Sequence, residues 1–464
     1  MDIESAVKKL IAQSLLFGAM LGVDLHSGKT PNVILIYSDD QGSVDLNCYG
    51  SKDLATPNLD KLAAKGVRFT QMYSPSAICS ASRAGLLTGR FPPRAGVPGN
   101  VSSHKGNPGM PTEELTIAEA LKTEGYETGH VGKWHLGYTK ETMPNGQGFD
   151  YSYGHMGGCI DNFSHFFYWV PPNLHDLWRN GTEIWEDGQY FGDLMVRECN
   201  AFIERNRAKP FFLYWAINWP HYPLQGTATW RDHYKNHPHP RDKYGAFVST
   251  MDELIGKVVA NVEKLELRKD TIIVFQSDHG HSIESRTFGG GGSSGPYRGA
   301  KGSLFEGGIR VPSIISWPAK VPFGEKRSQM ATGCDWFPTL TEFCGAKIPE
   351  KLKLDGRSLA QVITDAKTPS PHKSFYWQLG QQVVVREGDW KLLINPQDNN
   401  RPEGREPATK VFLADLANDP EESKNLAKGN PEVLQRLMKL RQEFSNSLKA
   451  TNRSSLRKKD QRKN

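Results

Sequence analysis

Asn32-Val33-Ile34-Leu35-Ile36-Tyr37, followed at once by Ser38-Asp39-Asp40, decides the architecture of this chain. The run is apolar at nearly every position and ends in acids. A strand with one wet face alternates between apolar and polar residues. A strand buried on both faces does not, and such strands belong to parallel sheets covered by helices. Similar runs recur at Phe211–Ile217, Thr271–Phe275 and Val311–Ile315. Helical patterns lie between them. Thr56-Pro57 opens one, with Leu59, Leu62 and Ala63 on a face and Gly66 beyond its end. Thr116 and Glu119 have capping-box spacing, with Gly125 at the far end. Asp252–Leu265 carries Leu254, Ile255, Val258, Val259 and Val262 at helical spacing. Strands alternating with helices predict an α/β fold, a large mixed and mostly parallel sheet sandwiched by helices.

The texture changes near residue 365. Thr368-Pro369-Ser370-Pro371 reads as a connector, and Ser374–Trp377, Gln382–Arg386 and Trp390–Ile394 follow as short hairpin-style runs. A final helix is expected over about Pro431–Leu448. The predicted organisation is a leader over 1–25, a catalytic α/β domain over 26–366, and a smaller C-terminal subdomain over 367–464 with an antiparallel sheet, a helix and a basic tail. In the leader, Lys8 and Lys9 precede an apolar stretch from Leu10 to Val23 that is short for a membrane span. It predicts export to the periplasm or the medium and no stable membrane span; a short N-terminal helix is the other reading.

The net charge of +6 resides largely in the tail from Arg453 to Lys463. The body is therefore near neutral, which argues against a nucleic-acid partner and means that any anion preference must come from local charge. The six cysteines form no CxxC pair, so a zinc ribbon is not expected. Cys334 and Cys344 are close enough in sequence to pair in an oxidising compartment.

Asp39 and Asp40 end the first core strand, and Asp278-His279 ends another. Ligand sites in open α/β sheets lie outside the carboxyl ends of strands. Adjacent carboxylates repel unless a cation lies between them, although a solvated turn would explain the pair as well. Two acidic strand ends in one sheet can share one metal, and hard oxygen ligands suit calcium or magnesium.

Cys79-Ser80-Ala81-Ser82-Arg83, running into Ala84-Gly85-Leu86-Leu87-Thr88-Gly89-Arg90, resembles the signature of the type I sulfatases, in the alkaline phosphatase superfamily. A lone cysteine beside a Leu-Leu pair is ordinarily a small buried hydrophobe; the partner motifs change that reading. Gly132-Lys133-Trp134-His135-Leu136-Gly137, Trp219-Pro220-His221-Tyr222-Pro223 and Gly299-Ala300-Lys301-Gly302 through Arg310-Val311-Pro312 resemble further sulfatase segments, in the family's order. So do Arg386–Leu392 and Leu416–Leu426. The overall texture is similar to N-acetylgalactosamine-6-sulfatase-like and bacterial polysaccharide sulfatases.

The resemblance implies an alkaline phosphatase-like fold and hydrolysis of sulfate esters. It implies that Cys79 is oxidised to formylglycine, whose hydrate attacks sulfur, and that Asp39, Asp40, Cys79, Asp278 and His279 bind one calcium ion. His279 stands where the family more often has Asn. Imidazole is a softer ligand, which leaves room for magnesium or another divalent metal. Cys79 is expected to start a helix whose N-terminus favours an anion. Arg83, one turn on, would hold the hydrate. Lys133 and Lys301 would grip sulfate oxygens, His135 would serve the formylglycine hydroxyl, and His221 would protonate the leaving alcohol. Implied partners are a sulfated glycan or a small sulfate ester, and a formylglycine-generating or anaerobic sulfatase-maturating enzyme. Ala81 replaces the more common proline, so either maturation system is open. The aromatic content suggests sugar contacts, and the stretch His155–Trp169 reads equally as a specificity insert or as hydrophobic packing; a galactose or N-acetylgalactosamine type is the guess. Two other readings fit part of this pattern. One is a phosphomonoester or phosphodiester hydrolase on the same fold; the other is a catalytically silent glycan-binding relative.

Overall fold

The strand Asn32–Asp39 lies inside a ten-stranded sheet and is buried along its whole length. The structure, a computed structural model, describes residues 30–169 and 171–461, with side chains to residue 448; the expected leader lies outside the described residues. From edge to edge the sheet runs Glu325–Arg327, Val67–Phe69, Ser313–Ser316, Thr271–Ser277, Asn32–Asp39, Phe211–Pro220, Glu127–Lys133, Tyr151–His155, Trp178–Arg179 and Thr182–Glu183. The five strands from Thr271–Ser277 to Tyr151–His155 are parallel. Ser313–Ser316, overlapping the run expected at Val311–Ile315, is antiparallel to its neighbours.

The uninterrupted apolar run is explained by two cores. Val33, Leu35 and Tyr37 point to one face, packing with Leu86, Leu87, Ile117 and Leu340. Ile34 and Ile36 point to the other, against Leu59, Leu194, Phe202, Leu254 and Val258. A two-residue period with helices on both sides requires both parities to be apolar. The capping box at Thr116 and Glu119 is formed, opening the helix Ile117–Lys122. The helix expected from Asp252 begins earlier, spanning Arg241–Lys264. All six cysteines are free, so Cys334 and Cys344 do not pair.

The C-terminal strands Ser374–Leu379, Gln382–Glu387, Trp390–Ile394 and Val411–Asp415 form an antiparallel sheet. The helix Pro431–Gln461 covers one face through Leu437. The other face presents Phe375, Trp377, Leu393 and Phe412 to Tyr73, Leu304, Phe305 and Ile309. A buried charge cluster crosses this contact. Lys391 Nζ lies 2.9 Å from both Glu306 Oε1 and Glu422 Oε1, and Glu306 also accepts from Tyr73 at 2.6 Å. The small sheet thus holds the segment that carries Lys301.

Lys391 serves both carboxylates, and Arg310 adds a second cation at Glu306, 3.3 Å from its Oε2. Burial pushes the Glu306 carboxyl up, but Lys391, Arg310 and Arg386 overcome it and bring it down to about 2. At Glu422 burial wins over Lys391 and lifts the carboxyl from 4.5 to about 7. A carboxyl whose folded pKa is raised binds its proton more tightly in the folded state, so stability falls as pH climbs through that window. Glu306 acts oppositely, and its contribution is lost only as pH falls toward about 2. The denaturation midpoint of wild-type protein is therefore expected to decline from about pH 5 to about pH 7. Glu422→Gln should show a shallower decline. Parallel pH profiles for the two proteins would contradict the assignment.

Candidate active site

The parallel strands leave the sheet at one edge. Ser38 pairs with Ser277, Asp39 with Pro220, and Lys133 with His155. Asp39, Asp278, Lys133 and His221 therefore emerge together, each at or just beyond a strand's carboxyl end. Asp40 turns off the first strand with φ 62°, a left-handed conformation unusual for a residue with a Cβ.

Cys79 is the first residue of the helix Cys79–Thr88, all ten residues of which are buried. Ser82 Oγ donates to the Asp278 carbonyl at 2.6 Å and lies 2.8 Å from the Tyr37 hydroxyl, which pins the helix to two strand ends. The amides of the first turn have no partners within the helix, so an anion is favoured there.

Four side chains converge. Ligand atoms of Asp39, Asp40, Cys79 and His279 all lie within 4.8 Å of one another. His279 Nε2 is 3.3 Å from Cys79 Sγ, 3.3 Å from Asp40 Oδ1 and 3.5 Å from Asp278 Oδ1. Its Nδ1 lies 3.0 Å from the Gly280 carbonyl, which can only accept. In a neutral ring the proton is then on Nδ1 and the Nε2 lone pair faces the acids. Asp39 Oδ1 and Asp40 Oδ1 are buried with no hydrogen-bond partner among the described residues.

Cations surround the acids. Arg83 reaches beneath residue 79, with Nη2 3.1 Å from Asp278 Oδ2 and 3.3 Å from Asp39 Oδ1. Lys133 Nζ donates to Asp39 Oδ2 at 2.7 Å, and Lys301 Nζ to Asp40 Oδ2 at 2.9 Å. His221 Nε2 is 3.7 Å from Asp40 Oδ2, while its Nδ1 bonds the Tyr222 carbonyl at 2.9 Å. His135, with φ 56°, forms no ion pair among the described residues; its Nε2 bonds the Val101 carbonyl at 3.1 Å.

These charges reset the acidities. Burial alone would raise the Cys79 thiol, yet Lys133, Lys301 and His279 outweigh it and bring the pKa to about 6. Burial lifts Asp40 to about 7 and holds Asp278 well above the usual carboxylate range. Burial opposes charge on His279, but Asp278, Cys79 and Asp40 carry it up to about 10. Burial opposes charge on Asp39 as well, but Lys133, His221 and Arg83 hold it well below the usual carboxylate range; Asp40 and Asp278 are the acids left short of positive charge. Asp39 Oδ1 and Asp40 Oδ1, which accept no hydrogen bond among the described residues, and the His279 ring, whose Nε2 presents a lone pair once its proton is given up, are a donor set that fits a divalent cation. Next to it, residue 79 stands between two lysines able to bind an anionic group.

Glu284 was not singled out by its sequence context. Its Oε2 lies 3.1 Å from Lys301 Nζ, setting that ammonium between two carboxylates. A Ser-Ile-Glu turn carries no local signal for such a role, because the pairing spans the fold.

The chain is similar to known proteins along most of its length. The family profile described as sulfatase matches residues 31–346, and one described as the C-terminal part of N-sulphoglucosamine sulphohydrolase matches 299–450. The chain is 33% identical to arylsulfatase A of Homo sapiens over 458 residues, covering 90% of this chain and 89% of that one. It is 32% identical to N-acetylgalactosamine-6-sulfatase of Canis lupus familiaris over 388 residues, covering 78% and 71%. The crystal structure of Ps i-CgsB in complex with k-i-k-neocarrahexaose superposes with a TM-score of 0.79 at 33% identity, covering 90% of this chain and 93% of that one.

Proposed function

The chain belongs to the sulfatase family and is a sulfuric ester hydrolase, and from that premise we propose that it removes sulfate from a carbohydrate through an aldehyde hydrate formed from Cys79 beside a divalent cation. The observation that carries this reading is the convergence of Asp39, Asp40, Cys79 and His279 between Lys133 and Lys301. A carbohydrate substrate is supported by the sulfated-sugar relatives and by the oligosaccharide bound to the structural neighbour. Export and activation by a sulfatase-maturating enzyme complete the proposal.

Asp39, Asp40, Asp278 and His279 would hold the cation, with residue 79 at its edge. Bound there, a calcium or other divalent ion supplies charge against the sulfate oxygens. Lys133 and Lys301 add fixed positive charge at the same oxygens, which matters most as negative charge builds in displacement at sulfur. Arg83, expected to hold the hydrate, pairs with Asp39 and Asp278 and would act by keeping these acids in place beneath residue 79. His135 lies on the loop leaving the strand of Lys133 and would take a proton from the residue-79 hydroxyl. His221, its Nδ1 engaged with the Tyr222 carbonyl, offers Nε2 to the departing alcohol.

The last role has a distinctive consequence. His221→Ala is expected to slow hydrolysis of sugar sulfates by about 10²–10⁴-fold, because an alkoxide leaves poorly without a proton. Aryl sulfates with acidic phenols need little such help and should lose far less. Equal losses on both substrates would remove His221 from this step. The reaction class is tested by comparing kcat/KM for an aryl sulfate and the matching aryl phosphate, then by a panel of defined sulfated galactose and N-acetylgalactosamine saccharides. Faster phosphate than sulfate cleavage would overturn the proposal.

A further inference from the structure

Between the strand Tyr151–His155 and the helix Phe191–Asn206 the chain makes an insert of two short hairpins, Phe166–Phe167 with Leu174–His175, and Trp178–Arg179 with Thr182–Glu183. Within it, His165, His175 and Asp187 bring three ligand atoms within 4.8 Å of one another. The two imidazoles are buried, while Asp187 is 54% exposed. His165 Nδ1 is 4.0 Å and His175 Nε2 3.8 Å from the same oxygen, Asp187 Oδ1. Neither nitrogen has a hydrogen-bond partner among the described residues.

The opposite ring nitrogens are both engaged. His165 Nε2 is 3.1 Å from the Gln189 carbonyl, and His175 Nδ1 is 3.0 Å from Glu183 Oε1. Carbonyl and carboxylate oxygens only accept, so in neutral rings these nitrogens carry the protons and the free lone pairs face Asp187. Lys105 in turn holds the Glu183 carboxylate at 2.8 and 2.9 Å. An imidazole whose far N–H is fixed by a carbonyl or carboxylate is the usual outer support of a metal-bound histidine. The gaps to Asp187 are too long for hydrogen bonds. They are slightly wider than the about 3.3–3.5 Å expected between ligands around a tetrahedral zinc with about 2.0–2.1 Å bonds. Asp187, half in solvent, can close that difference. His165 also holds a left-handed backbone, φ 59°, a cost tolerated where geometry is being imposed. Trp185 stacks flat on His175 at 3.7 Å and shields it.

We propose that His165 Nδ1, His175 Nε2 and Asp187 Oδ1 bind a second divalent metal of the zinc class, with water completing the shell. Two imidazoles and one carboxylate suit a borderline-soft transition metal, unlike the oxygen-rich cluster at Asp39 and Asp40. The metal ties the first hairpin to the loop before Phe191. That matters for the cleft, because Phe167 and Trp169 pack on Tyr222 next to His221, and Asn162 bonds Trp219 Nε1 at 2.9 Å. The ion is a positioning device for the wall beside the leaving group and stands independently of the reaction assigned to the main site.

The full-length protein, stripped with chelator and resupplied with excess calcium to fill the main cluster, is titrated with zinc, and with cobalt as a spectroscopic probe. Wild-type protein should retain zinc, show cobalt absorption bands of low coordination number, and gain thermal stability with zinc. Asp187→Ala, a change at a half-exposed side chain, should bind zinc about 10-fold or more weakly, and His175→Ala should behave likewise. Equal zinc affinity and equal zinc-dependent stabilisation in wild type and Asp187→Ala would overturn the proposal, as would an absence of zinc binding by wild type. Sulfate-ester turnover is not the readout, so this result is separable from failure of the main-site reading.

Discussion

Cys79→Ala is expected to lose sulfate-ester turnover by about 10³-fold or more while remaining folded, because it removes the atom from which the nucleophile is made. The side chain is small and begins a buried helix, so alanine fits its place without strain. Its Sγ lies in the charged cluster, 3.3 Å from His279 Nε2. The folding midpoint should therefore move little, as for most single substitutions without a large cavity. Initial rates on an aryl sulfate, with thermal denaturation as the control, check both halves. Activity within tenfold of wild type would exclude residue 79 as the source of the nucleophile.

Lys391→Met is expected to have the largest effect on stability, about 3–5 kcal/mol, because removing one partner leaves buried charge uncompensated. Lys391 is fully buried and is 2.9 Å from both Glu306 and Glu422. Methionine keeps the length of the apolar stem and drops the ammonium, so the loss reports charge more than packing. Glu306 and Glu422 would then repel, and Glu306 would loosen from Tyr73 and Arg310. Lys301 lies only five residues before Glu306, so turnover should also fall. Denaturant unfolding of wild type, Lys391→Met, and Lys391→Met combined with Glu306→Gln tests the cause. The double variant should recover part of the loss; a loss below about 1 kcal/mol in the single variant would contradict the account.

The two-sided burial of Asn32–Asp39 is legible because both parities are apolar, and the same logic identifies Phe211–Pro220 and Thr271–Ser277. Their ends are less so. The strand from Phe211 continues past Ile217 to Pro220, since pairing with Asp39 outlasts the apolar run. The first half of Arg241–Lys264 contains Tyr244, Phe247, Val248 and Met251 at helical spacing, but its residues pack on two different clusters, which blurs a single stripe. At the site, Asp39, Asp40, Asp278 and Cys79 are readable as acidic strand ends and a helix start, and their convergence follows from parallel register. The long-range pairs are not readable. Nothing near Glu284 points to Lys301, and nothing near Glu422 points to Lys391. His165 and His175 sit among aromatics that read equally well as packing, and only the fold aims their free nitrogens at Asp187.

The central claim is that an aldehyde derived from Cys79 does the chemistry. Peptide mass spectrometry of residue 79 in a catalytically active preparation tests it most directly, with the modified fraction compared across preparations of differing specific activity. An aldehyde in place of the thiol, in a fraction that rises in proportion to activity, is the predicted result. Full activity from protein whose residue 79 is entirely unmodified cysteine would contradict it.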